Sequence, residues 1–149
     1  MDVFIAMDGY TLPCGFILKE LCLLFPNGEF THLLLKPPAN QHLSEIDVRT
    51  IRYTTNNLNN LCYHDGDVPY ECMQDVLKKV QICRIFTYSE VSQRLLQEIL
   101  PTSMITNIQS LGFTMPSSLP DPSCFRTHNP RYCAKAKAIA VKRFVESGF

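Results

Sequence analysis

The sequence predicts a single α/β domain of 149 residues, with a mixed sheet that starts as an antiparallel meander and carries helices on both faces. Three apolar segments with strand-like composition lie within the first 36 residues. Helix-type and strand-type segments then alternate from residue 69 onwards. An antiparallel start followed by α/β units favours one sheet that is covered on both sides. We find no internal repeat and no long linker, so we expect one domain over residues 1–149.

The composition argues against several classes of protein. Hydrophobic residues make up 46% of the chain and charged residues 19%, which is typical of a globular domain. A net charge of zero argues against strong non-specific binding of nucleic acid over the whole surface, but not against a local basic patch. Seven cysteines without framework spacing favour a reducing compartment, with thiols free or bound to metal. No apolar stretch is long enough for a signal peptide or a membrane span, so we expect a cytoplasmic or nuclear protein.

The first third of the chain predicts three strands. Val3–Met7 is β-branched, aromatic and apolar, and we expect this strand to end at Asp8. Phe16–Phe25 is a second apolar run with few charges. The turn at Pro26–Glu29 contains Asn-Gly, a strong hairpin signal, and Phe30–Lys36 is the predicted return strand.

The rest of the chain predicts helices that alternate with short strands. A polar, turn-rich region after the third strand allows one short helix near Glu45–Ile51. Apolar spacing, caps and breakers then define the later elements. They are a helix over Pro69–Val80, a strand over Ile82–Tyr88, a helix over Glu90–Leu100 capped by Ser89, a short strand over Met104–Ile108, a loop over Thr114–Pro122 and a helix over Ala134–Val145.

A Cys, a His and a second Cys lie within ten residues, just before the last predicted helix. These residues are Cys124, His128 and Cys133. Thiolate and imidazole are the ligands that zinc prefers, and a structural zinc site has four ligands in a tetrahedron. The stretch therefore predicts three ligands of a zinc site, with a fourth from elsewhere in the chain. The alternative is two buried cysteines and a surface histidine without a metal.

Basic side chains concentrate on the last helix and just before it. A solvated helix face is the ordinary interpretation of such a concentration. The functional interpretation is a surface that contacts phosphates, with Phe125 and Tyr132 available to stack on unpaired bases. The candidates for nucleic-acid binding are Arg126, Arg131, Lys135 and Lys142.

The order of elements, with an acid at the end of the first strand, is similar to the RNase H-like fold of the DEDDh 3′–5′ exonucleases. Asp8 and Tyr10 look like the family's Asp-x-Glu motif with Tyr in place of Glu. Arg84–Leu96 resembles the segment of the second motif but lacks its Asp, and Cys133 and Ala138 stand at the His and Asp places of the third. Two-metal hydrolysis needs several carboxylates. The resemblance therefore implies that the two-metal nuclease site has been lost.

The Maelstrom domain of animal piRNA-pathway proteins, a branch of the same superfamily, has also lost these carboxylates and holds zinc through a Glu-Cys-His-Cys set. Glu20 with Cys124, His128 and Cys133 is similar to that set, so the resemblance implies Glu20 as the fourth ligand. The chain also looks like small exonuclease-like domains of insect mobile elements and insect viruses. Alternatives for the fourth ligand are His64, His32 and Cys14.

The resemblance implies a catalytically degenerate, zinc-stabilised exonuclease-fold domain that binds single-stranded RNA or a protein partner, in RNA silencing or mobile-element biology. A purely protein-binding module would instead present an exposed apolar patch, for which Met115–Leu119 is the candidate. The alternative is an active single-strand nuclease, dependent on Mg²⁺ or Mn²⁺, with a rearranged site built on Asp8, Glu20, Glu90 or His128.

Overall fold

Five strands form one mixed sheet in the order β3-β2-β1-β4-β5. β1 (Asp2–Leu12), β2 (Gly15–Leu24) and β3 (Phe30–Leu34) form an antiparallel meander. β4 (Arg84–Thr87) pairs with β1 in parallel, and β5 (Met104–Asn107) pairs with β4 in parallel. The mixed sheet with a meander at its start is therefore confirmed.

Four α-helices accompany the sheet in this computed structural model, which describes residues 1–39, 41–117, 119 and 132–148. No helix among these residues is both long and apolar enough to cross a membrane. A π-helical turn over Thr55–Asn59 continues the first helix. The helices are α1 (Glu45–Thr54), α2 (Cys72–Lys78), α3 (Glu90–Ile99) and α4 (Ala134–Glu146).

The helix starts follow from local hydrogen bonds. Ser44 and Asp47 form a capping box at α1, in which each side chain accepts from the other residue's backbone N–H. The predicted cap Ser89 accepts from the N–H of Ser92 at α3, at 3.2 Å. Cys133 precedes α4 but supplies no side-chain cap, which leaves the first N–H groups of α4 available to another acceptor.

Helices cover both faces of the sheet, as the sequence predicts. Alternating side chains of a strand point to opposite faces, so β1 and β2 each contribute to two clusters. The cluster on one face joins β1 and β2 to α2 and α3 through Val3, Ile5, Leu21, Leu23, Leu77 and Leu96. The cluster on the other face joins the same strands to α4 through Phe4, Ala6, Cys22, Leu24, Ala138 and Val141.

The predicted end of the first strand at Asp8 is wrong, because β1 continues to Leu12. The reason lies in Gly9, which does not form a turn. Because it lacks a side chain, it allows the backbone of β2 to approach β1 closely. A Cβ at this position would lie 2.2 Å from the carbonyl oxygen of Ile17. A glycine inside a strand pattern often marks a bulge or a close backbone approach, and here it marks both.

A β-bulge beside Gly9 places two consecutive polar residues of β2 in the interior. Asp8 pairs with Glu20 and Gly9 pairs with Leu18, so Lys19 is the extra residue. The ammonium of Lys19, a residue that is 2% exposed, donates to the carbonyl oxygens of Leu35 and Tyr63, each at 3.0 Å, and of Asp65. Burial lowers the pKa of Lys19 to about 8, which leaves the group mainly charged at pH 7.

We expect Lys19→Met to lower the free energy of unfolding by about 3 kcal/mol at pH 7, because three buried carbonyl oxygens would lose their donor. Urea denaturation followed by circular dichroism measures this loss. Lys36→Met, at an exposed lysine just past β3, is the matched control and should change stability by less than about 0.5 kcal/mol. Equal stability of the two variants would show that the buried ammonium does not hold the loop in place.

Candidate metal centre

Glu20 lies on β2 beneath the amino end of α4. The residue is 1% exposed, and it faces the cluster that joins the sheet to this helix. Its Oε1 accepts a hydrogen bond of 3.1 Å from the backbone N–H of Ala134, the first residue of α4. An acid at this end of a helix is favourable, because the first N–H groups have no partners within the helix and carry partial positive charge. Glu20 therefore takes the capping role that Cys133 does not perform.

His32 and Cys133 complete a cluster with Glu20. Nε2 of His32 contacts Oε2 of Glu20, and Sγ of Cys133 lies 3.9 Å from the same oxygen. One ligand atom from each residue, a nitrogen, an oxygen and a sulfur, lies within 4.8 Å of the others. These three residues could hold a metal ion, and their donor set suits zinc better than magnesium or calcium, which prefer oxygen ligands alone.

The strand register explains why these residues meet. Glu20 and Cys22 point to the same face of β2, and His32 of β3 pairs with Cys22. Glu20 and His32 are therefore diagonal neighbours across two strands, a separation that long side chains can bridge. Cys133 reaches the same point because α4 begins directly over β2.

The structure brings together two of the four predicted metal ligands, Glu20 and Cys133. The other two, Cys124 and His128, lie outside the described residues. His32, one of the alternatives considered for the fourth ligand, joins Glu20 instead of replacing it. The signal for His32 was a polar side chain on the inward face of β3, and this becomes informative only once the pairing with β2 is known.

The remaining alternatives, His64 and Cys14, lie away from this cluster. His64 packs edge-on against the ring of Tyr63, with the centroids 5.2 Å apart. Cys14 is exposed in the turn between β1 and β2, where its Sγ lies 4.0 Å from Nε2 of Gln41. Neither residue belongs to the group that could hold a metal ion.

Asp8 lies beside Glu20 on the neighbouring strand and faces Lys137 of α4. Nζ of Lys137 is 3.5 Å from Oδ1 of Asp8, and the two side chains are only 8% and 13% exposed. Burial raises the pKa of Asp8, although Lys137 opposes the rise. Burial alone would lower the pKa of Lys137, but Asp8, Tyr88 and Glu20 together outweigh that effect and the net pKa is raised. Lys137 therefore compensates the charge of Asp8 within the fold.

Two of the four basic candidates lie within the described residues. Nζ of Lys135 lies 4.0 Å from the ring centroid of Phe30, which is 48% exposed. Nζ of Lys142 lies 3.2 Å from Oε1 of Glu146 one helical turn later. Arg126 and Arg131 lie outside the described residues.

The candidate apolar patch has its two large described side chains half-buried, whereas Pro116 and Ser117 are exposed. Met115 and Leu119 are partly buried against the cluster between the sheet and α4. The expectation of an exposed patch is therefore wrong for these two side chains. Their apolar surface contributes to the core of this domain instead.

We expect Asp8→Asn and Lys137→Met each to lower the free energy of unfolding by about 2 kcal/mol, because each leaves a largely buried partner without its counter-charge. The double variant should lose less than the sum, with a coupling energy of about 1 kcal/mol in a double-mutant cycle by urea denaturation. The matched cycle uses the exposed pair of Glu45 and Arg49 on α1, where the coupling should be close to zero. Additive effects at Asp8 and Lys137 would contradict a buried ion pair.

Comparison of the chain with protein-family models, with curated proteins and with solved structures finds no match in any of the three. A function must therefore be inferred from the side chains themselves. The strongest chemical feature is the cluster of Glu20, His32 and Cys133 where the sheet meets α4.

Proposed function

We propose that this chain is a zinc-stabilised, catalytically degenerate exonuclease-fold domain that acts as a binding module for single-stranded RNA or a protein partner. The observation that carries the proposal is the meeting of Glu20, His32 and Cys133 at the start of α4. Oxygen, nitrogen and sulfur ligands in one buried place are typical of zinc rather than of the magnesium on which two-metal nucleases depend. RNA silencing and mobile-element biology are the proposed setting.

A structural role for the metal is supported by the burial of the cluster. Glu20 and Cys133 are 1% and 0% exposed, and the side chain of His32 is 10% exposed. Structural zinc sites are closed by four protein ligands, whereas catalytic sites keep a position open for water or substrate. The three residues come from β2, β3 and the start of α4, so a bound ion would cross-link the sheet to the last helix. Its binding free energy would then contribute directly to folding.

The proposal of a degenerate exonuclease is supported by what occupies the positions of the motifs. Tyr10, at the place of the first motif's Glu, is fully buried and donates from its hydroxyl to the carbonyl oxygen of Leu61, at 2.9 Å. Burial raises the pKa of Tyr10 to about 12, so it stays neutral. Ala138, at the place of the third motif's Asp, is a core residue. Asp8 alone retains a carboxylate, and it is paired with Lys137.

The element order also supports an RNase H-like arrangement. A meander of three strands is followed by two helices, a strand, a helix and a strand, with a closing helix packed on the sheet. This is the order on which the resemblance rests. The described cluster supplies three ligands, so a tetrahedral site needs one more, for which Cys124 and His128 are the candidates.

We expect one zinc per chain in purified protein, measured by elemental mass spectrometry, and loss of that zinc in Cys133→Ser and His32→Gln. The melting temperature should fall with the zinc, and a chelator should have the same effect on the wild type. The variants Cys124→Ser and His128→Gln identify the fourth ligand, since only the true ligand should lower the stoichiometry. In Co²⁺-loaded protein, thiolate charge-transfer absorption separates one cysteine ligand from two.

The control for zinc binding is the double variant Cys62→Ser/His64→Gln, which removes the other Cys/His pair at exposed positions. It should keep its zinc and its melting temperature. Folded wild-type protein without zinc would contradict the metal centre and leave Glu20 as a helix cap only. Zinc retained in Cys133→Ser would show that the ion binds elsewhere.

We expect the double variant Lys135→Gln/Lys142→Gln to weaken binding of a fluorescein-labelled single-stranded oligouridine in an anisotropy titration. Loss of two phosphate contacts should reduce the slope of log affinity against log salt by about 1.4. The control Lys78→Gln/Lys79→Gln removes two exposed lysines at the end of α2, on the other side of the sheet, and should leave the slope unchanged. A wild type without RNA affinity would favour the protein-binding version.

The same oligonucleotide tests the nuclease alternative. Incubation with added Mg²⁺ or Mn²⁺ should produce no cleavage, because Lys137 already compensates the charge of Asp8 and Tyr10 and Ala138 stand at the places of two further carboxylates. Metal-dependent cleavage that disappears in Asp8→Asn would overturn the degenerate assignment.

A further inference from the structure

A cavity of about 300 Å³ lies between α1 and the loop that follows the π-helical turn. None of the residues of the metal centre lines it. Ile51 and Tyr63, both largely buried, contribute apolar surface, whereas Arg52 and His64 line the cavity and are exposed. Its volume reaches the lower end of the range for small-molecule sites, about 300–1,000 Å³.

The wall on the α1 side is a single face of the helix. Val48, Ile51, Arg52 and Thr55 follow the helical spacing of three and four residues, and all four line the cavity. The hydroxyl of Thr55 donates to the carbonyl oxygen of Leu61, at 3.0 Å, and so fixes the loop against the helix. The cavity is thus bounded by hydrogen-bonded backbone on both sides.

The chain adopts an uncommon backbone conformation to form this arrangement. The five residues after α1 form a π-helical turn, which ends at Asn60 with φ +57° in the left-handed region. π-Helical turns are rare and occur frequently at functional sites, and non-glycine residues with positive φ are uncommon. Together they reverse the chain so that the loop containing Tyr63 faces α1.

The opposite wall presents a fixed aromatic surface. The ring of Tyr63 stands at a steep angle to the ring of Tyr10, with centroids 5.3 Å apart, and edge-on to His64, at 5.2 Å. Tyr63 itself is 6% exposed, so its ring is held on several sides. A flat or branched apolar group could pack between this wall and Ile51 without rearrangement of either.

The polar lining of the cavity includes a guanidinium and an imidazole, which can both donate hydrogen bonds. Arg52 and His64 line it, and no Asp or Glu of the described part of the chain does so. The guanidinium of Arg52 makes no hydrogen bond or ion pair with the described residues, whereas Arg49, on the same helix, pairs with Glu45 at 2.9 Å. A free guanidinium presents paired donors that match a carboxylate, sulfonate or phosphate.

We propose that this cavity binds a small organic anion, with an apolar or aromatic body against Ile51 and Tyr63 and an anionic group held by Arg52 and His64. The site is independent of the metal centre and of the proposed RNA surface. The bound class comprises aryl or branched-alkyl carboxylates, sulfonates and phosphates.

The test uses 1-anilinonaphthalene-8-sulfonate, an aromatic sulfonate, and N-phenyl-1-naphthylamine, its uncharged analogue. Wild-type protein should bind the sulfonate saturably at one site, and ¹⁵N chemical-shift changes should concentrate on α1 and the loop with Tyr63. Arg52→Ala should lower the affinity for the sulfonate by about tenfold and the affinity for the neutral probe by much less. Val48→Glu, which places a carboxylate on the exposed wall of the cavity, should abolish sulfonate binding.

Arg49→Ala is the matched control, because it removes an exposed arginine of the same helix that does not line the cavity. It should leave both probes unaffected. If Arg49→Ala and Arg52→Ala weaken sulfonate binding equally, the effect comes from the general surface charge, and the proposal is overturned. The proposal is also overturned by absent binding in the wild type, by shifts confined to another surface, or by unchanged sulfonate binding in Val48→Glu.

Discussion

The burial of the Glu20 carboxylate is the constraint on which the rest of this structure depends. A charged group that is removed from water needs partners, or it destabilises the fold by several kcal/mol. Glu20 finds them in two other elements: the imidazole of His32 on β3, and the N–H of Ala134 and the thiol of Cys133 at the start of α4. One carboxylate therefore connects β2 to both β3 and α4.

The bulge on β2 explains how such a carboxylate can be accommodated. Lys19, the extra residue, directs its ammonium to three carbonyl oxygens of the chain after β3, while Glu20 faces α4. Two buried polar residues are thus adjacent in the sequence, but each finds its hydrogen-bond partners in a different part of the fold. Bulges re-aim side chains and are frequent beside functional sites. Here the bulge serves packing of the loop and the meeting of Glu20 with His32 and Cys133 at the same time.

Local properties of the sequence predict much of the fold, whereas contacts between strands decide the rest. The meander and the helices on both faces follow from alternation and helical spacing. Gly9 is a residue type that is common in turns, so the sequence predicts the end of a strand there. Its role inside β1 is visible only in the structure, where the backbone of Ile17 lies against it. Glu20 and Cys133 could be predicted as candidate metal ligands from their residue types and from the resemblance to a known zinc set. His32 depends on register, because a shift of one residue in the β2–β3 pairing would turn it to the other face.

The arrangement around Asp8 joins the sheet to α4 through a largely buried ion pair. An acid whose burial raises its pKa is poorly suited to hold a divalent cation unless other carboxylates share the work. Lys137 supplies the missing positive charge from within the chain, and Ala138 beside it packs into the core. α4 thereby covers the face of the sheet on which Asp8 and Glu20 lie. Glu20 contacts Ala134 and Cys133 on the same face, so the contacts that satisfy the two buried acids also hold α4 against the sheet.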